Sequence, residues 1–267
     1  MLYEKIKFDE TDGDALLEVY AADPISDFTR RAILVIPGGG YSVVCSDREG
    51  EPIALAFMSQ GYNAFVLHYS VKKKPFPAHL IQASRAMKYI RDNAERYGID
   101  KENVFSVGFS AGGHLCASLA AMWKLPEIYE AVDMPYGYNK PNGAMLIYPV
   151  ISAKLHCRSF SNLAMKESLS EEEKARYSIE KNVDEDTAPM FIFHTSNDQV
   201  VDVRNSLVLA EALRAAGQKF ELHVYPDAPH GVALGNEITR CGNDKYCDPA
   251  FERWVSDACY WAKKFKE

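Results

Sequence analysis

The strongest indication of the fold is the segment Val104-Phe-Ser-Val-Gly-Phe-Ser-Ala-Gly112. Its first four residues form a short, mostly apolar run of the kind that builds a strand buried in a parallel sheet. The remaining five match the pattern G-x-S-x-G, and a helical pattern begins at Ala111. A serine between a strand and a helix needs small neighbours, and its hydroxyl stands near the positive end of the helix. The stretch predicts a nucleophile elbow at Ser110, with an ordinary glycine-rich turn as the alternative.

Short apolar runs alternate with helical patterns along the rest of the chain. The predicted strands are an antiparallel segment at 15–20, then 32–36, 64–67, 104–107, 144–148, 190–193 and, as an edge strand, Phe220–Tyr225. The predicted helices are 50–60, 77–97, 111–122, 202–216 and 249–266. This alternation predicts an α/β fold with a doubly wound, mostly parallel sheet.

Two stretches interrupt the alternation. Residues 123–143 carry three prolines and predict a loop excursion with a short helix. Residues 151–189 exceed an ordinary strand–helix connection and contain a predicted helix at 170–177, capped by Ser170 and Glu173. We interpret the whole chain, 1–267, as a single domain in which 151–189 is a small insertion. Its acidic second half is either a solvated face or part of a lid that lines a pocket.

A serine hydroxyl becomes a nucleophile only when a base takes its proton. Of the seven histidines, His230 lies in a loop directly after the last predicted strand, where this fold class places its base. His114 is close to Ser110 in sequence, but its helix aims it elsewhere. The base needs a carboxylate partner, and Asp198 follows the strand 190–193. Asp202 competes with it but fits equally well as a helix N-cap. The chain order serine, aspartate, histidine is the one expected for a site with a G-x-S-x-G nucleophile elbow.

Acyl transfer also needs hydrogen-bond donors for the oxyanion. Pro37-Gly-Gly-Gly-Tyr41 follows the predicted strand 32–36, and glycines let the backbone turn its N–H groups toward a substrate. We predict Gly39, Gly40 and Ala111 as the donors. A phosphate-binding loop is disfavoured because neither Lys-Ser/Thr nor G-x-G-x-x-G is present. Tyr41 is a candidate substrate contact or a packing residue.

Composition and charge exclude several classes of protein. Lys plus Arg is 30 and Asp plus Glu is 37, so the formal net charge is −7, which disfavours nucleic acid and anionic membranes as partners. No apolar run is long enough to span a bilayer. The first residues show no signal-peptide pattern, so we expect a cytoplasmic location.

The six cysteines show no metal-ligand spacing, and we expect no metal site. Cys241 and Cys247 share a loop and could pair, but a disulfide is less expected than free thiols in the cytoplasm. The sequence is compatible with a homo-oligomer.

Together these motifs resemble the α/β-hydrolase superfamily over nearly the whole chain. They are most similar to small bacterial esterases of the acetyl xylan esterase and feruloyl esterase-like branch. The likeness rests on Pro37-Gly-Gly-Gly-Tyr-Ser-Val-Val44, Asp47-Arg-Glu-Gly-Glu-Pro52, Gly61-Tyr-Asn-Ala-Phe-Val-Leu-His-Tyr69, Gly108-Phe-Ser-Ala-Gly-Gly-His114, His194-Thr-Ser-Asn-Asp198 and His230-Gly231. Pro37 stands where the hormone-sensitive-lipase group has the histidine of its His-Gly-Gly-Gly motif, which argues against that group.

The resemblance implies catalytic roles for Ser110, Asp198 and His230, with oxyanion roles for Gly39, Gly40 and Ala111. We therefore expect a serine carboxylesterase acting on small short-chain esters, such as acetyl esters of xylan-derived oligosaccharides. It requires no cofactor. An arylformamidase or amidase-type hydrolase shares the glycine loop and the triad. The alternative that is not an enzyme is a binding protein with this fold.

Overall fold

Eight strands form one sheet in the computed structural model, which describes residues 1–8 and 14–265. The strands are β1 (Leu2–Lys7), β2 (Leu16–Ala21), β3 (Arg30–Ile36), β4 (Tyr62–His68), β5 (Ile99–Phe109), β6 (Ala144–Ile147), β7 (Met190–Thr195) and β8 (Phe220–Tyr225). Their order is β1-β2-β4-β3-β5-β6-β7-β8. The pairs β1–β2 and β2–β4 are antiparallel and all others are parallel. The predicted mostly parallel sheet, with β8 at its edge, is confirmed.

Ten α-helices connect and cover these strands within the described part of the chain. They are α1 (Ser46–Glu49), α2 (Glu51–Ser59), α3 (Ala78–Asp92), α4 (Ala94–Tyr97), α5 (Ala111–Ala121), α6 (Pro126–Ala131), α7 (Cys157–Ala164), α8 (Glu171–Tyr177), α9 (Arg204–Ala215) and α10 (Trp254–Ala262). Pro126–Ala131 is the short helix expected within 123–143, and α8 follows the capping box of Ser170 and Glu173.

Several elements differ from the sequence prediction, among them the short helices α1 and α7, which no sequence pattern predicted. The expected helix 77–97 is two helices, because the Asn93 side chain donates to the Tyr89 carbonyl at 2.8 Å and competes with the helical backbone. The last helix is shorter than 249–266, with α10 followed by one turn of 3₁₀-helix, and residue 266 lies outside the described residues. Strand β1 was not predicted, although its residues alternate in exposure as an edge strand does.

The core forms two layers, one on each face of the sheet. In β3 the side chains of Ile33 and Val35 pack on one face and those of Leu34 and Ile36 on the other, as the two-residue period of a strand requires. Helices α3, α5 and α9 cover one face, and α2 and α10 cover the other. Because both faces are covered, the central strands are continuous apolar runs.

The loops that carry the predicted site leave the same edge of the sheet. Strand β3 lies between β4 and β5, so the next two strands of the chain lie on opposite sides of it. At such a reversal of strand order a crevice opens at the carboxyl ends of the strands. The glycine loop follows β3 and Ser110 follows β5. Asp198 follows β7 and His230 follows β8.

Candidate active site

Ser110 sits in a strained backbone conformation between β5 and α5. Its φ is 53° and its ψ is −118°, a conformation that non-glycine residues rarely adopt. Its N–H donates to the Ile147 carbonyl at 3.1 Å, which anchors the turn to β6. A Cβ atom at Gly112 would lie 2.2 Å from the Ile36 carbonyl oxygen, so the close approach of α5 to β3 requires glycine there. The turn is the nucleophile elbow that the sequence predicts.

Ser110, His230 and Asp198 form a continuous hydrogen-bonded relay. His230 Nδ1 lies 2.7 Å from Asp198 Oδ2, and His230 Nε2 lies 2.9 Å from Ser110 Oγ. A carboxylate only accepts, so Nδ1 carries the proton of the neutral ring and Nε2 accepts from the serine hydroxyl. In this tautomer the histidine is ready to take the serine proton.

Asp198 is held ionised by donors on several sides. Its Oδ1 accepts the N–H groups of Val200 and Val201, each at 2.9 Å. Burial opposes ionisation, but hydrogen bonds from His194, His230 and the backbone hold the pKa of this carboxyl well below its usual range. The acid of the relay therefore carries a negative charge at neutral pH.

The two sequence competitors for triad roles lie elsewhere. Asp202 is partly exposed, accepts the Arg204 N–H at 2.8 Å and forms an ion pair with that side chain, as expected near a helix start. His114 is buried, with Nδ1 2.7 Å from the Tyr41 hydroxyl and Nε2 2.7 Å from the Tyr177 carbonyl. Neither residue contacts Ser110 through its side chain.

In the glycine loop the backbone carbonyls are bonded to the protein, whereas two of the N–H groups have no protein acceptor among the described residues. The carbonyls of Gly38, Gly39 and Gly40 accept hydrogen bonds from Cys45, Ser42 and Asn162, respectively. The Gly38 N–H donates to Glu49 at 2.8 Å. The N–H groups of Gly39 and Gly40 donate to no described residue, and both glycines line the cleft that contains Ser110. The N–H of Ala111 is equally free, because the first turn of a helix offers it no acceptor. These three amides stay the predicted oxyanion donors.

The side chain of Tyr41 does not reach the cleft, so the expected substrate contact is wrong for that side chain. Tyr41 is 1% exposed and packs edge-on against His79 and His114. Its hydroxyl donates to His114 Nδ1, since Nε2 must be the donor to the Tyr177 carbonyl. Tyr41 is the packing residue that the sequence left as the alternative.

The cleft above Ser110 has a volume of about 520 Å³ and is lined mainly by residues with polar side chains. The insertion contributes His156, Arg158, Ser159 and Asn162 to it, all from α7 or the residue before it. None of the acidic residues in the second half of the insertion lines this cleft, and α1 contributes a second arginine, Arg48. The lining therefore carries two arginines against a single carboxylate, that of the buried Glu49, although the chain as a whole is acidic.

Three residues of the site were missed by sequence reasoning. Glu49 is buried beneath the glycine loop, Tyr148 stacks edge-on against His230, and His194 lies against Asp198. Glu49 and His194 stand inside motifs that carry the resemblance, but no spacing rule marks their contacts. Within residues 1–8 and 14–265, no cluster of three His, Cys, Asp or Glu side chains suits a metal ion. The six cysteines, including Cys241 and Cys247, are free. No helix in the same ranges is long and apolar enough to cross a bilayer.

This combination of sheet, elbow and relay identifies the chain as a serine hydrolase with the α/β-hydrolase fold. A solved structure supports this assignment: MGS-M1, an α/β hydrolase from a Medee basin deep-sea metagenome library, is 34% identical, with a TM-score of 0.81. The match covers 99% of this chain and 98% of that one. More narrowly, the chain belongs to the BD-FAE family, whose family model matches residues 17–213.

Two curated relatives are similar in sequence. The chain is 38% identical over 218 residues to "Endo-1,4-beta-xylanase B" of Butyrivibrio fibrisolvens, a match that covers 79% of this chain and 34% of that protein. It is 31% identical over 211 residues to "Acetylxylan esterase" of Xylanibacter ruminicola, which covers 77% of this chain and 42% of that protein. The chain thus matches less than half the length of either relative.

Proposed function

We propose that this chain is a serine carboxylesterase that removes short acyl groups from polar, sugar-like alcohols, acetylated xylo-oligosaccharides above all. The observation that carries the proposal is the relay from Asp198 through His230 to Ser110, which opens into a polar cleft. The relay activates the nucleophile, and the cleft determines which substrates reach it.

The lining of the cleft favours a short acyl group and a hydroxylated alcohol. Val200 is the one aliphatic side chain among its lining residues, which otherwise carry mainly amide, hydroxyl, imidazole and guanidinium groups. Each buried CH₂ group contributes about 0.8 kcal/mol in an apolar pocket, a gain that a long acyl chain would largely lose here. Sugar hydroxyls, in contrast, find donors and acceptors along Ser159, Asn162 and Gln199. The names of the two curated relatives point toward the same substrate class.

In the acylation step, Ser110 Oγ attacks the ester carbonyl carbon while His230 Nε2 takes the serine proton. The C=O π electrons move onto oxygen, and the N–H groups of Gly39, Gly40 and Ala111 stabilise this oxyanion. Asp198 holds the imidazolium that forms. Collapse of the intermediate breaks the bond to the alcohol oxygen, which leaves with the proton from His230. Water then attacks the acyl-serine by the same route and releases the acid.

The decisive experiment is an acyl-release assay with the wild-type chain and a Ser110→Ala variant. Acetylated xylo-oligosaccharides, feruloylated sugars and p-nitrophenyl esters from acetate to octanoate cover the relevant substrates. We expect acetate release from the sugars and a fall in kcat/KM with acyl length, both abolished in the variant. Efficient hydrolysis of octanoate without acetate release from any sugar would contradict the sugar-ester proposal.

The alternatives are tested by the same preparation. Turnover of N-formylkynurenine above that of p-nitrophenyl acetate would favour an arylformamidase. A chain that hydrolyses nothing and whose Ser110 resists a fluorophosphonate probe would be a binding protein. A cytoplasmic location, where imported oligosaccharides are the substrate, is part of the proposal, and cell fractionation tests it. Light scattering determines the oligomeric state.

A further inference from the structure

Glu49 is a buried carboxylate placed between the two loops that carry the proposed chemistry. It is the last residue of α1, directly behind the glycine loop, and is 2% exposed. Its Oε2 accepts the Gly38 N–H at 2.8 Å, and its Oε1 accepts the Tyr148 hydroxyl at 2.9 Å. Both carboxylate oxygens are therefore used by donors from other elements.

Tyr148 continues the connection toward His230. Its hydroxyl oxygen accepts the Ala233 N–H at 3.0 Å, three residues beyond the histidine. Its ring packs edge-on against the His230 imidazole, with centroids 4.9 Å apart. Gly38, Glu49, Tyr148 and Ala233 thus form one chain of hydrogen bonds that joins the glycine loop to the histidine loop.

The burial of Glu49 is costly and calls for an explanation. Burial raises the pKa of this carboxyl, against the Gly38 N–H, the Tyr148 hydroxyl and the nearby Arg48 charge, which favour the ionised form. Glu49 forms no ion pair within 4.0 Å in the described part of the chain. A fold that needed only packing here would use an apolar side chain, so the polar connection itself is what the position supplies.

The Gly38 contact bears directly on the oxyanion donors. A Cβ atom at Gly38 would lie 2.8 Å from Glu49 Oε2, so the carboxylate approaches as close as glycine permits. The Gly38 N–H is consumed by this bond and cannot serve the oxyanion. With that amide fixed by Glu49 and the Gly38 carbonyl fixed by Cys45, the following peptide plane, which carries the Gly39 N–H, is fixed as well.

We propose that Glu49 and Tyr148 are positioning residues that keep the oxyanion amides and His230 at fixed positions relative to each other. This inference rests on the proposed esterase function. It predicts that removing either group lowers the rate of the chemical step, because donors displaced by a fraction of an ångström stabilise the transition state less. The binding of the uncharged ester in its ground state should change little.

The test compares Glu49→Gln, Glu49→Ala and Tyr148→Phe with the wild-type chain, using p-nitrophenyl acetate. Gln keeps an acceptor for the Gly38 N–H, so we expect a loss in kcat of about fivefold, against about tenfold for Tyr148→Phe and about a hundredfold for Glu49→Ala. KM should stay within about threefold. Inhibition by phenylboronic acid, whose tetrahedral adduct occupies the oxyanion site, should weaken in proportion to the loss in kcat/KM.

Asp47→Asn is the matched control, since Asp47 is an exposed carboxylate on the same short helix. It should behave as the wild type does. Should Glu49→Ala fail to fold, as judged by thermal unfolding, Glu49→Gln and Tyr148→Phe still decide the matter. Values of kcat within twofold of wild type for both, or losses confined to KM, would overturn the inference. A wild-type chain without esterase activity would instead overturn the proposed function, so the two failures are distinguishable.

Discussion

The Nε2 atom of His194 lies 3.4 Å from Oδ2 of Asp198, on a side chain that is completely buried at the end of β7. The same nitrogen is 2.9 Å from the Val201 carbonyl, and Nδ1 is 2.7 Å from the Ser206 hydroxyl. Because a carbonyl oxygen only accepts, Nε2 of His194 carries the proton. This N–H points between the Val201 carbonyl and the Asp198 carboxylate. Asp198 therefore lies between two imidazoles, one structural and one facing Ser110.

Removing the donor of His194 should weaken the relay without touching the substrate. We expect His194→Leu to lower kcat about tenfold and to reduce the free energy of unfolding by about 1–3 kcal/mol, since two buried acceptors lose their partner. His194→Gln, which can place an N–H near the same point, should lose less. His223→Gln on the edge strand β8 is the control. Steady-state kinetics and urea unfolding measure both effects, and equal losses in the Leu and Gln variants would contradict this role.

Substitution of the two aspartates after β7 should have very different effects on kcat. Asp198→Asn should lower kcat by about 10⁴-fold, because the amide favours the wrong histidine tautomer and no longer stabilises the imidazolium. Asp202→Asn should keep kcat within about twofold, since the hydrogen bonds of the Asp202 side chain are made with Arg204, away from the relay. The measurement is p-nitrophenyl acetate hydrolysis by both variants. A larger loss for the Asp202 variant would reverse the assignment.

Gly112 should tolerate no side chain. In Gly112→Ala the new Cβ would lie 2.2 Å from the Ile36 carbonyl oxygen, so α5 must move away from β3 and carry Ser110 with it. We expect a loss of stability of about 3 kcal/mol or more and loss of labelling by a fluorophosphonate probe. In the control Gly217→Ala, no atom lies within 4 Å of the new Cβ, and only its φ of +70° opposes the change, by about 1 kcal/mol. Similar losses in both variants would contradict the steric explanation.

Acid should destabilise the protein through two buried histidines. Burial lowers the pKa of His114 to about 4, and burial together with the charge of His114 lowers the pKa of His79 to about 4. The ordinary histidine value is about 6.5, so between pH 6.5 and 4 the unfolded chain binds protons that the folded chain does not. The free energy of unfolding therefore falls as the pH decreases through this window.

His114→Gln isolates one of these contributions. The difference in unfolding free energy between wild type and variant should shrink by about 2 kcal/mol from pH 7 to pH 5, since the glutamine has no proton to gain. Urea unfolding at several pH values measures it. A difference that stays constant with pH would show that His114 does not titrate between the two states.

Much of the fold was predictable because local patterns and tertiary packing agree in this chain. Continuous apolar runs mark strands covered on both faces, and all six predicted parallel strands are present. The failures are local. Strand β1 has one weakly buried face, so its alternation produces no strong apolar signal. The break at Asn93 depends on a single side-chain hydrogen bond that competes with the helix.

Sequence patterns were enough to predict the nucleophile elbow, the order of the relay residues and the glycine loop, because each is encoded by residue types at short spacing next to a strand. The contacts of Glu49, Tyr148 and His194 with the site, and the burial of Tyr41 away from the cleft, arise only in the folded chain. An example is the 2.9 Å bond between residues 49 and 148, whose partners lie 99 positions apart. No local pattern records such a contact, since it exists only once the strands β3, β5, β6 and β8 have brought their loops to one edge of the sheet.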